Sequence, residues 1–225
     1  MQAIGETVFE VVYLILVVTL GIGILRRSGG ERQYRLFGWA AVLLGAGDSF
    51  HLVPRMIALW TAGLDAFSFW LGLGKLVTSV TMTVFYVLLF FVWRERYGGG
   101  KHCAGLTRLA LVLAALRVLL CAMPQNRWLT NDGPLAWGIL RNVPFALLGL
   151  LVILLFGRSA REKSDPYRLL WLAVTLSFAF YLPVVLFADA VPALGMLMIP
   201  KTCAYVWAVF MGVKASRTRQ AAAQR

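Results

Sequence analysis

The chain has 225 residues, of which 60% are hydrophobic and only 14% charged, with a mean hydropathy of +0.76. A water-soluble domain is nearer half apolar and a quarter charged, so this much apolar surface has to face a bilayer. The net charge of +12 comes from 22 Lys and Arg against 10 Asp and Glu; the cations sit in short clusters between apolar segments with no zinc-finger spacing, so nucleic acid is not an expected partner.

Seven stretches of roughly 20 apolar residues follow in chain order, at 7–25, 36–57, 67–93, 106–123, 135–157, 169–188 and 193–213. They predict an all-α polytopic membrane protein, one seven-helix domain over residues 1–225. The segments are continuously apolar and do not alternate with period two, which excludes a β-barrel. Residues 1–10 lack a basic region and carry Glu6 and Glu10, so the first segment is expected to be retained rather than cleaved as a signal peptide.

The first segment has Glu10 near its mouth. The second holds Asp48, His51 and Arg55, whose offsets of three and seven place them on one helical face. In the third, Lys75 is followed by Ser79, Thr83 and Tyr86 on one stripe, which reads as an inner half-pathway or as ordinary packing surface. The fourth carries Arg117, the fifth Arg141, the sixth Tyr181, and the seventh Lys201 and Tyr205. Pro54, Pro144, Pro183 and Pro200 each invite a kink. Cys103, Cys121 and Cys203 form no CxxC pair, and the two histidines are His51 and the loop residue His102, so neither a disulfide framework nor a metal site is expected. No cofactor is expected.

Orientation follows from the connectors. Arg26, Arg27, Arg32 and Arg35 lie in the first; Arg94, Arg96, Lys101 and Arg108 in the third; Arg158, Arg161, Lys163 and Arg168 in the fifth; Lys214, Arg217, Arg219 and Arg225 in the tail. The other side offers little beyond Arg55 and Arg127, beside Glu6, Asp65, Asp132 and Asp189. The asymmetry places the N-terminus outside and the C-terminus in the cytoplasm of a cell in whose plasma membrane the chain is multi-pass.

Tyr34-Arg35-Leu36 before the second segment matches Tyr167-Arg168-Leu169 before the sixth, and Lys75 corresponds to Lys201. Residues 7–93 and 135–213 thus read as a parallel repeat joined by a linker helix at 106–123. This three-plus-one-plus-three arrangement resembles the SWEET and PQ-loop transporters in topology, without their Pro-Gln pairs, so no functional residue is implied by the resemblance. Seven helices, a helix-seven lysine and the run Tyr181-Leu182-Pro183 also resemble a microbial rhodopsin, which implies a Schiff base on Lys201 with Asp48 as counterion.

Ionisable groups in hydrocarbon cost roughly 2.5–3.5 kcal/mol each on insertion scales. Arg55, Lys75, Arg117, Arg141 and Lys201, counted against Asp48 and Glu10, leave three cations over, for which an anion from outside is the natural partner. The expectation is a transporter or receptor that binds a small organic anion or an anionic lipid headgroup through Asp48, His51, Arg55, Lys75, Ser79, Arg117, Arg141, Tyr181, Lys201 and Tyr205, all converging in one layer. Its partners are the bilayer and that ligand, and an oligomer is compatible with the pattern. The alternative to transport and to retinal is an intramembrane lipid-modifying enzyme in which Asp48 and His51 serve as acid and base; no nucleophile motif accompanies them.

Overall fold

The structure, a computed structural model, describes residues 2–98, 103–130, 132–187 and 190–223. Expectations placed on Lys101, His102, Asp189 and Arg225 lie outside the described residues. Seven helices are formed: α1 (Gln2–Arg27), α2 (Arg32–Trp60), α3 (Ser68–Tyr97), α4 (Cys103–Ala122), α5 (Leu135–Ser159), α6 (Leu170–Phe187) and α7 (Met198–Ala223). All seven are long and apolar enough to cross a membrane, and no strand occurs among the described residues. A helix is the expected form, because in lipid every backbone N–H and C=O needs a partner within its own segment.

Each helix packs on the next, α7 closes on α1, and α3 reaches across the ring to α5. The least buried span, α4, leans on α3 and α5 from the edge. One end of the bundle carries the starts of α1, α3, α5 and α7; it is called here the N-terminal end. The other, where the cationic connectors lie, is the basic end. The middle of the ring and its basic half are filled with buried aromatic and aliphatic side chains, among them Phe37, Phe85, Phe90, Leu148 and Phe156. Of the buried polar residues, Glu10, Arg117, Asn126 and Asn142 lie toward the N-terminal end, and Ser28 and Ser216 at the basic end.

The last apolar run is divided. Pro192–Leu197 forms a 3₁₀ turn and the α-helix begins only at Met198. Pro200 consequently lies in the first helical turn, where the N–H has no partner to lose, whereas Pro54, Pro144 and Pro183 lie inside α2, α5 and α6, each of which continues through its proline.

Small residues allow close helix crossings. A Cβ on Gly74 of α3 would run into the Phe50 carbonyl oxygen and approach the His51 Cα to 2.6 Å. Both obstacles are backbone, so neither can swing aside. Gly74→Ala is expected to cost about 1–3 kcal/mol by forcing α2 and α3 apart, seen as a lower melting temperature in detergent; an unchanged melting temperature would mean that the crossing is looser than the structure has it.

At the basic end α7 runs beyond the apolar segment to bring Arg219 onto the α1–α2 connector. Its Nε donates to Glu31 Oε1 at 2.6 Å and its Nη2 to the Gly29 carbonyl at 3.3 Å. Gly29 and Gly30 have φ of 52° and 86°, the left-handed region that glycine tolerates without strain. Burial raises the pKa of the Glu31 carboxyl, but hydrogen bonds from Arg219 and Gln33 outweigh it and hold the group below its ordinary value of 4.5. A depressed folded pKa means that the contact stabilises above about pH 4.5 and is lost as pH falls below it. Spin labels on the connector and on the end of α7 are expected to separate on acidification, and Arg219→Gln to give the separated state already at neutral pH.

Candidate functional site

The polar layer is assembled from side chains of every helix. On α1, Glu6, Glu10 and Tyr13 recur at offsets of four and three and so share the face turned to α2. Arg55 Nη2 donates to Glu6 Oε2 at 2.9 Å, and its Nε lies 3.7 Å from Glu10 Oε1. Arg55 is thus matched by two carboxylates and does not belong among the surplus cations. Just deeper, Tyr13 donates its hydroxyl proton to Asp48 Oδ2 at 2.6 Å.

Lys201 sits opposite. Its Nζ lies 5.0 Å from the centre of the Tyr181 ring and 5.7 Å from that of Tyr205, geometry in which ring faces attract a cation. It is close enough to Asp48 for the two charges to interact, without a contact inside 4 Å. From Tyr205 the network turns toward the basic end: its hydroxyl is 3.2 Å from that of Tyr86, which is 3.3 Å from Ser177 Oγ.

His51 does not pair with Asp48 as an acid–base couple would. Its Nδ1 meets the Leu71 carbonyl at 3.3 Å, across the crossing that Gly74 keeps tight. Of the two lysines expected to converge, Lys201 is half-buried and Lys75 is exposed. Lys75 follows Leu71 by four residues and Gly72 by three, on the α3 face that also carries the buried Met82 and Tyr86, yet its side chain is exposed; its charge reaches His51, as does that of Lys201. The long aliphatic stem makes this tolerable, since a lysine can lie along apolar surface and carry its ammonium toward the interface. Ser79 and Thr83 donate to the Lys75 and Ser79 carbonyls at 2.7 and 2.8 Å. The Ser79 hydroxyl also reaches the Cys121 thiol of α4, and of the proposed inner stripe it is Tyr86 that joins the network.

Two arginines complete the layer. Arg117 of α4 is 2% exposed. Its Nη1 donates to the Arg141 carbonyl and to Asn142 Oδ1, the latter at 2.8 Å, and the guanidinium carbon lies 4.8 Å from the centre of the Phe145 ring. Arg141 Nη1 donates to Asn126 Oδ1 at 2.8 Å, with the guanidinium 4.4 Å from the Trp128 ring. Asn126 is fixed in turn by donating to the Leu120 and Met123 carbonyls at the end of α4. These guanidinium groups donate to neutral oxygens and lie over ring faces; no carboxylate of a described residue lies within 4 Å of either, and Arg117 Nε is buried without a hydrogen-bond partner among the described residues. Tyr181 joins the two halves, donating to Asn142 Oδ1 at 3.0 Å while its ring faces Lys201.

The layer therefore brings together Asp48, Tyr181, Lys201 and Tyr205, and links them through Asn142 to Arg117 and Arg141. It leaves Arg55 paired toward α1, His51 on the α2–α3 seam, Ser79 between the Lys75 carbonyl and Cys121, and Lys75 exposed. Sequence reasoning missed Tyr13, Asn126 and Asn142. The first was announced by the Glu6, Glu10, Tyr13 stripe, and Asn142 by its place beside Arg141 in an otherwise apolar run; Asn126 sits in a connector and had no such signal.

Comparison with known proteins returns nothing. No protein-family model matches the chain, and no curated protein or solved structure matches it significantly. The three described cysteines are free, and no group of three His, Cys, Asp or Glu among the described residues is placed to hold a metal ion. The chemistry that the arrangement can perform is therefore read from the layer itself: two guanidinium groups are held by neutral acceptors and ring faces, and a lysine beside two aromatic rings interacts with an aspartate.

Proposed function

We propose that the protein is a membrane transporter, or a receptor acting through the same site, that takes a small organic anion or an anionic headgroup into the layer from its N-terminal end. One observation carries this reading. Arg117 and Arg141 are held on neighbouring helices by neutral acceptors and ring faces, which orient a guanidinium without cancelling its charge. A carboxylate or phosphate would supply the missing counter-charge through forked hydrogen bonds. Half-buried Arg141 is held by Asn126 and Trp128 of the short α4–α5 connector at the N-terminal end. The three-plus-one-plus-three repeat, with its likeness to the SWEET and PQ-loop transporters, belongs to this reading and would be a device for alternating access.

The test is a thermal-shift screen of the purified protein against carboxylates, phosphates and anionic lipids, followed by uptake of any stabilising compound into proteoliposomes. Stabilisation without uptake would favour the receptor; no stabilisation by any anion would overturn both. In the orientation we infer, the basic end is cytoplasmic, because four cationic clusters resist translocation. A reporter fused to the C-terminus is then expected to be active only inside the cell, and protease digestion of a C-terminal tag from outside intact cells would reverse the assignment.

A second reading has its own support. Lys201, between two tyrosine rings and facing Asp48, has the surroundings of an amine that could condense with an aldehyde such as retinal, releasing water and leaving an imine whose proton Asp48 would balance. Visible absorbance that is bleached by borohydride and absent from Lys201→Met would establish this reading in place of the first.

A further inference from the structure

The geometry points to a second, independent site: a cleft at the basic end, between the α5–α6 connector and the last membrane turns of α7, that binds one anionic phospholipid. It does not rest on the proposed transport site, which lies at the opposite end of the bundle. The cleft has a volume of about 300 Å³ and is rimmed by Lys163, Arg168 and Lys214 above Trp207, Phe210 and Met211.

The cations are the first argument. All three are exposed, and none forms an ion pair with a described residue. The one carboxylate in the cleft wall, Asp165, is engaged elsewhere: Tyr97 donates to it at 2.7 Å, the Tyr167 backbone N–H at 2.9 Å, and Arg96 lies 3.5 Å away. Those contacts also fix the turn that displays Lys163 and Arg168, because the Arg168 N–H bonds back to the Asp165 carbonyl at 3.1 Å. A carboxylate drawn inward and three cations left outward make a fixed positive rim.

The floor decides the class of ligand. Trp207, Met211 and Lys214 recur at offsets of four and three on one face of α7, with half-exposed Phe210 beside them. From Trp207 to Lys214 the helix rises about 10 Å, passing from hydrocarbon depth to a charged rim. A soluble anion would use the rim alone, and an acidic peptide would leave the apolar floor uncovered. A phospholipid matches both levels, with its phosphate on the cations and an acyl chain along Phe210 and Trp207. Basic pockets between membrane helices favour such headgroups, each nearby Lys or Arg adding to the attraction.

Native mass spectrometry of the full chain, titrated with dioleoyl phosphatidylglycerol, dioleoyl phosphatidylcholine or glycerol 3-phosphate, tests the proposal. One phosphatidylglycerol is expected to bind at least about tenfold more tightly than phosphatidylcholine, and K163Q/R168Q/K214Q to abolish that preference. The control R158Q/R161Q/R217Q, which removes three exposed cations of the same end outside the cleft, is expected to keep it. Melting temperatures in lipid-free detergent should match for all three proteins, since the changes are on the surface. Equal binding of both phospholipids, or equal loss in the control, would overturn the site in favour of diffuse attraction. Glycerol 3-phosphate binding as tightly as phosphatidylglycerol would overturn it by showing that the apolar floor contributes nothing.

Discussion

Asp48→Asn is expected to lower stability by roughly 2–3 kcal/mol, about 5–10 °C in melting temperature. It removes the negative charge opposite Lys201 and weakens the acceptor of the Tyr13 hydroxyl, while the lysine remains half-buried between Tyr181 and Tyr205. Lys201→Met should cost a similar amount, because it leaves the Asp48 charge with only the tyrosine hydroxyl to solvate it. The double variant should recover most of the loss, a coupling that appears only when two charges sense each other. Lys75→Met should change stability by less than about 0.5 kcal/mol, as expected of an exposed side chain. The three variants thereby separate two lysines that look equivalent in the sequence. If Lys201→Met melts with the native protein and Asp48→Asn also has no effect, the two charges are not coupled and the centre of the layer must be rebuilt.

The second large effect concerns ligand and not stability. Arg117→Gln and Arg141→Gln should each weaken binding of a stabilising anion about ten- to a hundredfold, the loss of one charge-assisted hydrogen bond of roughly 1.5–3 kcal/mol. Without ligand, both should fold. Glutamine at position 117 can still donate to Asn142, and deleting a buried charge that has no carboxylate relieves its desolvation. At a concentration of a hundred dissociation constants, a ligand stabilises by about 2.7 kcal/mol, so under the same conditions the variants should lose from about half of the ligand-induced shift, for a tenfold loss of affinity, to most of it, for a hundredfold loss. Arg141→Lys should not restore it, because an ammonium offers neither the planar stack on Trp128 nor a fork for the anion. A full ligand-induced shift in both glutamine variants would place the anion elsewhere and remove the principal support for transport. Retained binding with melting temperatures that fall without ligand would make the arginines scaffold.

The seven spans were determined by the sequence alone, because length and continuous apolarity leave a helix as the only form that satisfies its backbone in lipid. The inclusion of Asp48, Lys201, Arg117 and Arg141 in the interior network followed from the same cost: a charge at that depth needs polar company, and only the bundle can supply it. Lys75 shows the limit of that argument, since it is spaced on the buried face of α3 and a flexible stem still leaves its side chain exposed. Pro200 shows another, for a run of apolar residues does not reveal that its first turns are 3₁₀ and that the α-helix begins only at Met198. Which acceptor meets which cation was decided by tertiary structure. The sequence sets how many charges the layer holds, but the crossing at Gly74, the turn that carries Asn126 and the stripe on α1 decide that Arg55 finds two carboxylates while Arg117 and Arg141 find neutral oxygens. Hydrogen bonds reach only about 3 Å, so assignments of that kind depend on how helices distant in the chain are packed, and no local pattern carries the information.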